Sequence, residues 1–209
     1  MKFTQTPDGI VIHSAAEYDR RFMVRSRGRE RAFRQELVER ARLAPGESVL
    51  DVGCGTGTLA LAAKRRVGAD GMTRGIDPST EMIARARSKA RRSGLDVAFD
   101  EAVVQTLPYE DGTFDVVLAV LTFHQLPNDD LERSLREIER VLKPGGRLFV
   151  ADLDMRAPTN GPHSHGNFDL EPVVDALEVV ETGSIAFRLS RFERLRYVLG
   201  TFDGHDARR

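Results

Sequence analysis

Residues Val49 to Ala60, VLDVGCGTGTLA, decide how this chain folds. Apolar residues lead into an acid, Asp51. Glycines follow at 53, 55 and 57, and an alanine- and leucine-rich run then continues at helical spacing. The pattern predicts a buried strand, a tight turn and the start of a helix. With no Cβ at three alternate positions, a ligand can lie directly on main-chain N–H groups at the helix N-terminus. Asp51, at the strand's end, offers an acceptor to a cationic or hydroxylated group. The stretch reads as a binding loop for an adenosine-containing ligand.

Upstream, residues 9–13 form a short β-prone run, and the chain turns helical from about Ser14. The span 20–42 carries nine arginines, with Phe33, Leu37 and Val38 at inward spacing. That describes a solvated helix face, or a basic rim for an acidic substrate. Pro45-Gly46 stops the helix. Downstream, the spacing predicts a helix over 58–67 ended by Gly68, and a second strand over 73–77 closing on Asp77. Pro78-Ser79-Thr80 then caps a helix that runs to about Ser93, with Met82, Ile83 and Ala86 inward and Gly94 as its stop.

A third strand is expected over 97–104 and a fourth, the clearest, over 114–120. Asn128 can cap a helix in which Leu131, Leu135, Ile138 and Leu142 recur at helical spacing. Lys143-Pro144-Gly145-Gly146 breaks it before a fifth strand over 147–153. Residues 154–170 form a Pro/Gly/His/Asn-rich loop. A short helix over 172–176 and strand-like runs over 177–182 and 194–200 follow, suggesting an antiparallel pair at the sheet's edge.

Strands alternating with helices imply parallel βαβ units and a doubly wound α/β sheet. One domain is expected over 1–209: a helical cap (1–44), a cofactor-binding core (45–153), and a lid loop with closing strands (154–209). Lys and Arg total 31 against 32 Asp and Glu, so no global field favours nucleic acid. No apolar run reaches the roughly 18 residues of a membrane span. The first residues lack a signal peptide's apolar core. The single cysteine, Cys54, fits a reducing compartment, and a cytoplasmic protein is the expectation.

A dinucleotide fingerprint would read G-x-G-x-x-G, whereas this chain has D-x-G-x-G-x-G, which argues against a nicotinamide dehydrogenase. A P-loop is absent. Four segments in register resemble the class I S-adenosylmethionine-dependent methyltransferases, in the small group similar to the quinone-biosynthesis C-methyltransferases. They are Val49 to Gly57; Gly75-Ile76-Asp77-Pro78-Ser79; Leu107-Pro108-Tyr109 with Phe114-Asp115-Val116-Val117; and Leu142-Lys143-Pro144-Gly145-Gly146-Arg147-Leu148. The likeness implies a Rossmann-like, mostly parallel seven-stranded sheet with an antiparallel C-terminal edge and N-terminal covering helices.

The resemblance implies S-adenosyl-L-methionine as cofactor and S-adenosyl-L-homocysteine as product. It places the methionine part on Asp51, Gly53, Cys54, Gly55 and Gly57, and the ribose hydroxyls on Asp77. Pro78, Met82 and Leu121 join the cofactor site, and Tyr18-Asp19 resembles an aromatic-acid pair that covers it. Many relatives carry an Asp four residues before the Leu-Pro, where it accepts from the adenine amino group; Val103, then Val104, stand here. The adenine is then expected on apolar contact and a backbone N–H.

Methyl transfer from a sulfonium is a direct displacement that needs an in-line nucleophile and exclusion of water. His124, just past the fourth strand, is the candidate base, since its unperturbed pKa is ~6.5. A role in orienting loops competes with that. His163-Ser164-His165 could suggest a metal cluster, but the spacing does not support one and no metal is expected. The expected partner is a small-molecule acceptor, with a homodimer left open. A non-catalytic S-adenosylmethionine-binding sensor or partner subunit is the alternative.

Overall fold

The computed structural model describes residues 3–127, 130–153, 170–186 and 194–202. The expected loop over 154–170 and the cap at Asn128 fall almost wholly outside these residues. A hairpin comes first, of β1 (Phe3–Thr6) and β2 (Gly9–Ile12). Helices α1 (Ala15–Arg25) and α2 (Glu30–Arg40) follow. The central sheet then alternates with helices: β3 (Ser48–Val52), α3 (Thr58–Val67), β4 (Met72–Asp77), α4 (Thr80–Ser93), β5 (Ala98–Glu101) and β6 (Phe114–Val120). After a 3-10 turn over Phe123–Gln125 come α5 (Leu131–Val141), β7 (Leu142–Leu153), α6 (Glu171–Asp175), β8 (Glu178–Ala186) and β9 (Arg194–Thr201).

Seven strands form one sheet in the order β5-β4-β3-β6-β7-β9-β8. β3, β4, β5, β6 and β7 pair in parallel, whereas β9 runs antiparallel to both β7 and β8. Both faces of the sheet are buried, and alternate residues show it. Val116, Leu118 and Val120 of β6, with Phe149 and Ala151 of β7, pack on α2 and α3 through Phe33, Leu37, Leu59 and Val67. Val117 and Ala119, with Leu148 and Val150, pack on α5 and α6 through Leu135, Ile138 and Val173. Doubly covered parallel strands read as continuous apolar runs for this reason.

The local signals act as the sequence implies. Gly68 ends α3, the Ser79 hydroxyl caps α4 by accepting from the Met82 N–H, and Gly94 closes α4 in the left-handed region. Three expectations need correction. Residues 3–6 form a strand as well as the single run expected over 9–13. The third strand stops at Glu101, because residues 103–106 turn back with the Thr106 N–H donating to the Val103 carbonyl. Leu142 belongs to β7 rather than to the helix before it, and Lys143-Pro144-Gly145-Gly146 is a bulge inside that strand. Phe114 pairs with Leu142 and Val116 with Arg147, so the extra residues loop out between two pairings.

Three arginines of the arginine-rich span, Arg34, Arg40 and Arg42, make structural contacts. Arg34 lies buried over the rings of Phe22 and Phe33, at 4.6 and 5.3 Å from their centroids. Arg40 and Arg42 reach Glu181 on β8.

Candidate functional site

A cleft with about 770 Å³ of space, part of it open to solvent, lies at the carboxyl ends of β3, β4, β5 and β6. That is the edge where open α/β sheets bind ligands. Of the residues expected at the cofactor site, Gly53, Gly55, Asp77, Pro78, Met82, Val103, Val104, Leu121 and Tyr18 line it. Residues outside that expectation also line it: Ala102, Gln105, Thr122, Gln125, Leu126 and the hairpin residues Thr6 and Asp8 through Ile12.

The three glycines have three different reasons. Gly55, at φ 53°, has nothing within 4 Å of a built Cβ, so the space beside it is open. Gly53, at φ 66°, is pressed against the Thr122 side chain, whose hydroxyl donates to the Val52 carbonyl at 3.0 Å. Gly57, at φ 78°, does not line the cleft; a Cβ there would stand 2.7 Å from Phe99 and 2.8 Å from Ala86. Cys54 and Asp51 also lie behind the lining. The Cys54 side chain packs with Ala60, Ile83 and Phe99, and burial pushes its thiol well above the usual range. Asp51 is buried beneath the turn with Oδ2 lacking a hydrogen-bond partner, and burial pushes it up to about 7, partly offset by Arg34.

Gly57→Ala is expected to destabilise by about 2–4 kcal/mol, from left-handed strain plus overpacking. Gly55→Ala should cost only the strain, of order 1 kcal/mol, yet weaken ligand binding more. Thermal melts beside titrations separate the two, and equal melting losses would contradict this division.

Asp77 closes β4 and faces the cleft. Its Oδ2 accepts from the Gly55 N–H and its Oδ1 from the Ser79 N–H, both at 2.9 Å. Each oxygen keeps a further lone-pair site for a ligand donor. Burial pushes its pKa up to about 6, against the two backbone hydrogen bonds that hold it down.

Tyr18 forms a wall from α1, and its neighbour Asp19 explains why α1 sits there. The Asp19 carboxylate accepts from the Thr56 hydroxyl (2.6 Å), Lys89 (2.7 Å) and Arg85 (2.9 Å), tying α1 to the glycine turn and α4. Burial raises the Asp19 pKa, but these donors together hold it below the ordinary value.

His124 is not among the cleft-lining residues, although its neighbours Thr122, Gln125 and Leu126 are. Its Nδ1 lies 2.6 Å from Oδ1 of Asp152, a fully buried residue near the end of β7. Asp152 Oδ2 also accepts from the His124 main-chain N–H at 3.2 Å. A carboxylate at Nδ1 fixes the tautomer with its proton there, leaving Nε2 as an acceptor. Burial alone would lower the imidazole's pKa; the Asp152 charge and hydrogen bond raise it above the ordinary value. The parallel register pairs Val120 with Ala151, so the residues just beyond these positions meet. Sequence spacing between His124 and Asp152 gives no other sign of the pair. Leu121, between Val120 and Thr122, is held at φ 57°, an uncommon conformation for a branched residue that often marks a working site.

Comparison with known proteins completes the assignment. A model described as "Methyltransferase domain" matches residues 49–146. The ubiquinone/menaquinone biosynthesis C-methyltransferase of Cronobacter sakazakii is 32% identical over 85% of this chain and 72% of its own length. That of Bdellovibrio bacteriovorus is 38% identical, over 66% of this chain and 57% of its own length. This chain therefore spans little more than half the length of some curated relatives. The chain belongs to the class I S-adenosylmethionine-dependent methyltransferases, in the group that includes the quinone-biosynthesis enzymes.

Among solved structures, a "SAM dependent methyltransferase from Aquifex aeolicus" shares the fold, with a TM-score of 0.73 at 21% identity over 91% of this chain and 100% of the other. A structure titled "[4+2]-Cyclase SpnF" is 30% identical, with a TM-score of 0.64 over 76% of this chain and 61% of the other. No helix among the described residues is long and apolar enough to cross a membrane. Among the same residues, no cluster of three or more His, Cys, Asp or Glu could hold a metal ion; His163 and His165 lie outside them.

Proposed function

We propose that this chain transfers a methyl group from S-adenosylmethionine to a small-molecule acceptor, with His124 taking a proton from that acceptor. The observation that carries the reading is the meeting, in one cleft, of the Asp77 carboxylate, the open space beside Gly55 and the Tyr18 wall. The residues present fit the cofactor. Asp77 has lone pairs for the ribose hydroxyls, and Gly53 and Gly55 let main chain approach the methionyl part. Pro78, Met82, Val103 and Val104 offer apolar walls to a purine. Asp51, Cys54 and Gly57 support the turn from behind rather than contact the ligand.

When bound, the cofactor supplies a sulfonium-activated methyl group for direct displacement. The chain's own residues orient the acceptor and keep water out. His124, with Nε2 free and its ring held by Asp152, suits removal of an acceptor proton. Several relatives are named for quinone methylation, so hydroxylated aromatic rings are the acceptors to try first. Loss of a hydroxyl proton to His124 would make such a ring a stronger nucleophile.

The test is calorimetric titration with S-adenosylhomocysteine beside methyl release over a panel of hydroxylated aromatics. Binding in the micromolar range or tighter, with turnover on at least one member, is expected. Tight binding with no methyl transfer to any acceptor would overturn this reading in favour of a non-catalytic S-adenosylmethionine-binding sensor or partner subunit.

A further inference from the structure

We propose that the outer face of α1 and the turn after it dock this chain on an anionic lipid surface, with Met23 and Val24 entering the head-group layer inside a rim of arginines. The inference stands apart from the cofactor reading, since no cofactor enters its test. Met23 and Val24 are 56% and 66% exposed, the two most exposed large apolar side chains among the described residues. They share one side of the helix with arginine. The inner side of α1 carries the buried Ala15 and Phe22 and the cleft-lining Tyr18. Ala16, Arg20, Met23 and Val24 are exposed and fall at i, i+3 and i+4 spacing on the outer side. Two neighbouring apolar side chains with basic residues around them describe an interfacial face.

The charge around them is one-sided. Residues 20–31 hold six arginines and one acid, Glu30, in a chain whose net charge is −1. The rest of the chain is therefore net acidic, so an anionic surface attracts this segment and repels the remainder, which fixes the orientation. The acids beside the face are already answered. Glu17 pairs with Arg21 at 3.0 Å and Glu30 with Arg34 at 3.7 Å. Arg20, Arg27, Arg29 and Arg31 are exposed, and none of them forms an ion pair among the described residues. The turn is fixed by the Arg27 N–H donating to the Val24 carbonyl and the Gly28 N–H to the Met23 carbonyl, both at 3.2 Å. Arg27 holds φ 50°, a conformation that glycine adopts more readily, so a charge stands there in spite of strain.

Lipid fits this face better than nucleic acid does. A nucleic-acid face offers aromatic rings for stacking among its basic residues, whereas Phe22 and Phe33 are buried and the exposed pair is aliphatic. Arginine stems lie along apolar surface while their guanidinium groups reach phosphate, the arrangement a head-group layer asks for. Tyr18 lines the cleft from the other side of the same helix, so docking leaves α1 between the lipid and the cleft.

The test is co-sedimentation of the full chain with vesicles of phosphatidylcholine alone and with about a third phosphatidylglycerol. Binding to the anionic vesicles alone is expected, and it should weaken as salt is raised. Arg20→Gln combined with Arg27→Gln should weaken it by roughly 20–30-fold, at about fivefold for each arginine near the surface. Met23→Ser combined with Val24→Ser should weaken it by roughly tenfold. All four side chains are exposed, so thermal melts should not move. The chain has no tryptophan, so Val24→Trp supplies a lone fluorophore whose emission should shift to the blue on anionic vesicles. No binding of the unmutated chain to anionic vesicles overturns the proposal. Binding that the paired serine variant leaves unchanged, or that leaves the Val24→Trp emission unshifted, overturns it as well. Tighter binding of a single-stranded oligonucleotide through the same arginines assigns the face to nucleic acid instead.

Discussion

Asp77→Ala should weaken S-adenosylhomocysteine binding by roughly 100-fold, since each hydrogen bond to a charged group is worth about 1.5–3 kcal/mol and 1.4 kcal/mol is tenfold. Two effects act together. The ribose loses its paired acceptor, and the Gly55 and Ser79 N–H groups lose the carboxylate that fixes the glycine turn. Asp77→Asn keeps the shape and one acceptor oxygen, so its loss should be smaller. Affinity should also fall as pH drops through about 6, where Asp77 takes up a proton and loses acceptor capacity. The stability of the free protein runs the other way. A carboxyl raised from 3.8 to about 6 on folding binds protons more tightly when folded, so its contribution falls as pH climbs through that window. Asp51 extends the trend toward about 7, and Asp51→Asn separates its share. Unchanged affinity in a folded Asp77→Ala would remove the second motif from the cofactor site.

How much of this was legible depends on how locally each feature is determined. β6 spans the residues that its run of apolar side chains marks, because both its faces are buried. α3 begins at the glycine turn and ends at Gly68, with a stop signal at each end. β1 was hidden because Phe-Thr-Gln-Thr is exposed along most of its length and carries no buried face to announce it. Its one signal is the Pro7-Asp8-Gly9 turn between two short β-capable runs. Within the glycine loop the sequence shows three equal positions. The structure separates one that opens to ligand from one that packs on Phe99, a distinction that exists only once α4 and β5 are in place. Gln105 carried no sign at all. Its amide donates to a hairpin nearly a hundred residues earlier in the chain and to Asp130 before α5.

His124→Gln should lower methyl transfer by about 10²–10⁴-fold, the usual range for a lost general base, while leaving S-adenosylhomocysteine affinity nearly unchanged. The second half follows from geometry, because His124 does not line the cleft that holds the cofactor in this reading. A base must be neutral to act, so the wild-type rate should rise with pH through a value above the ordinary ~6.5 of histidine. Asp152→Asn removes the charge that raises it, which moves that limb to lower pH and frees the ring to turn. NMR titration of the His124 ring in Asp152→Asn reads the same shift without any acceptor. The pair is linked to stability in a definite sense. A histidine whose folded pKa is raised contributes fully below about 6.5, and that contribution fades as pH rises through the folded value. Asp152→Asn should therefore destabilise more in mild acid than in mild base. A transfer rate that His124→Gln leaves intact across pH would make the pair a loop-orienting device, as Leu121 at φ 57° and the Gln125 side chain donating to the Leu121 carbonyl already are at this strand end.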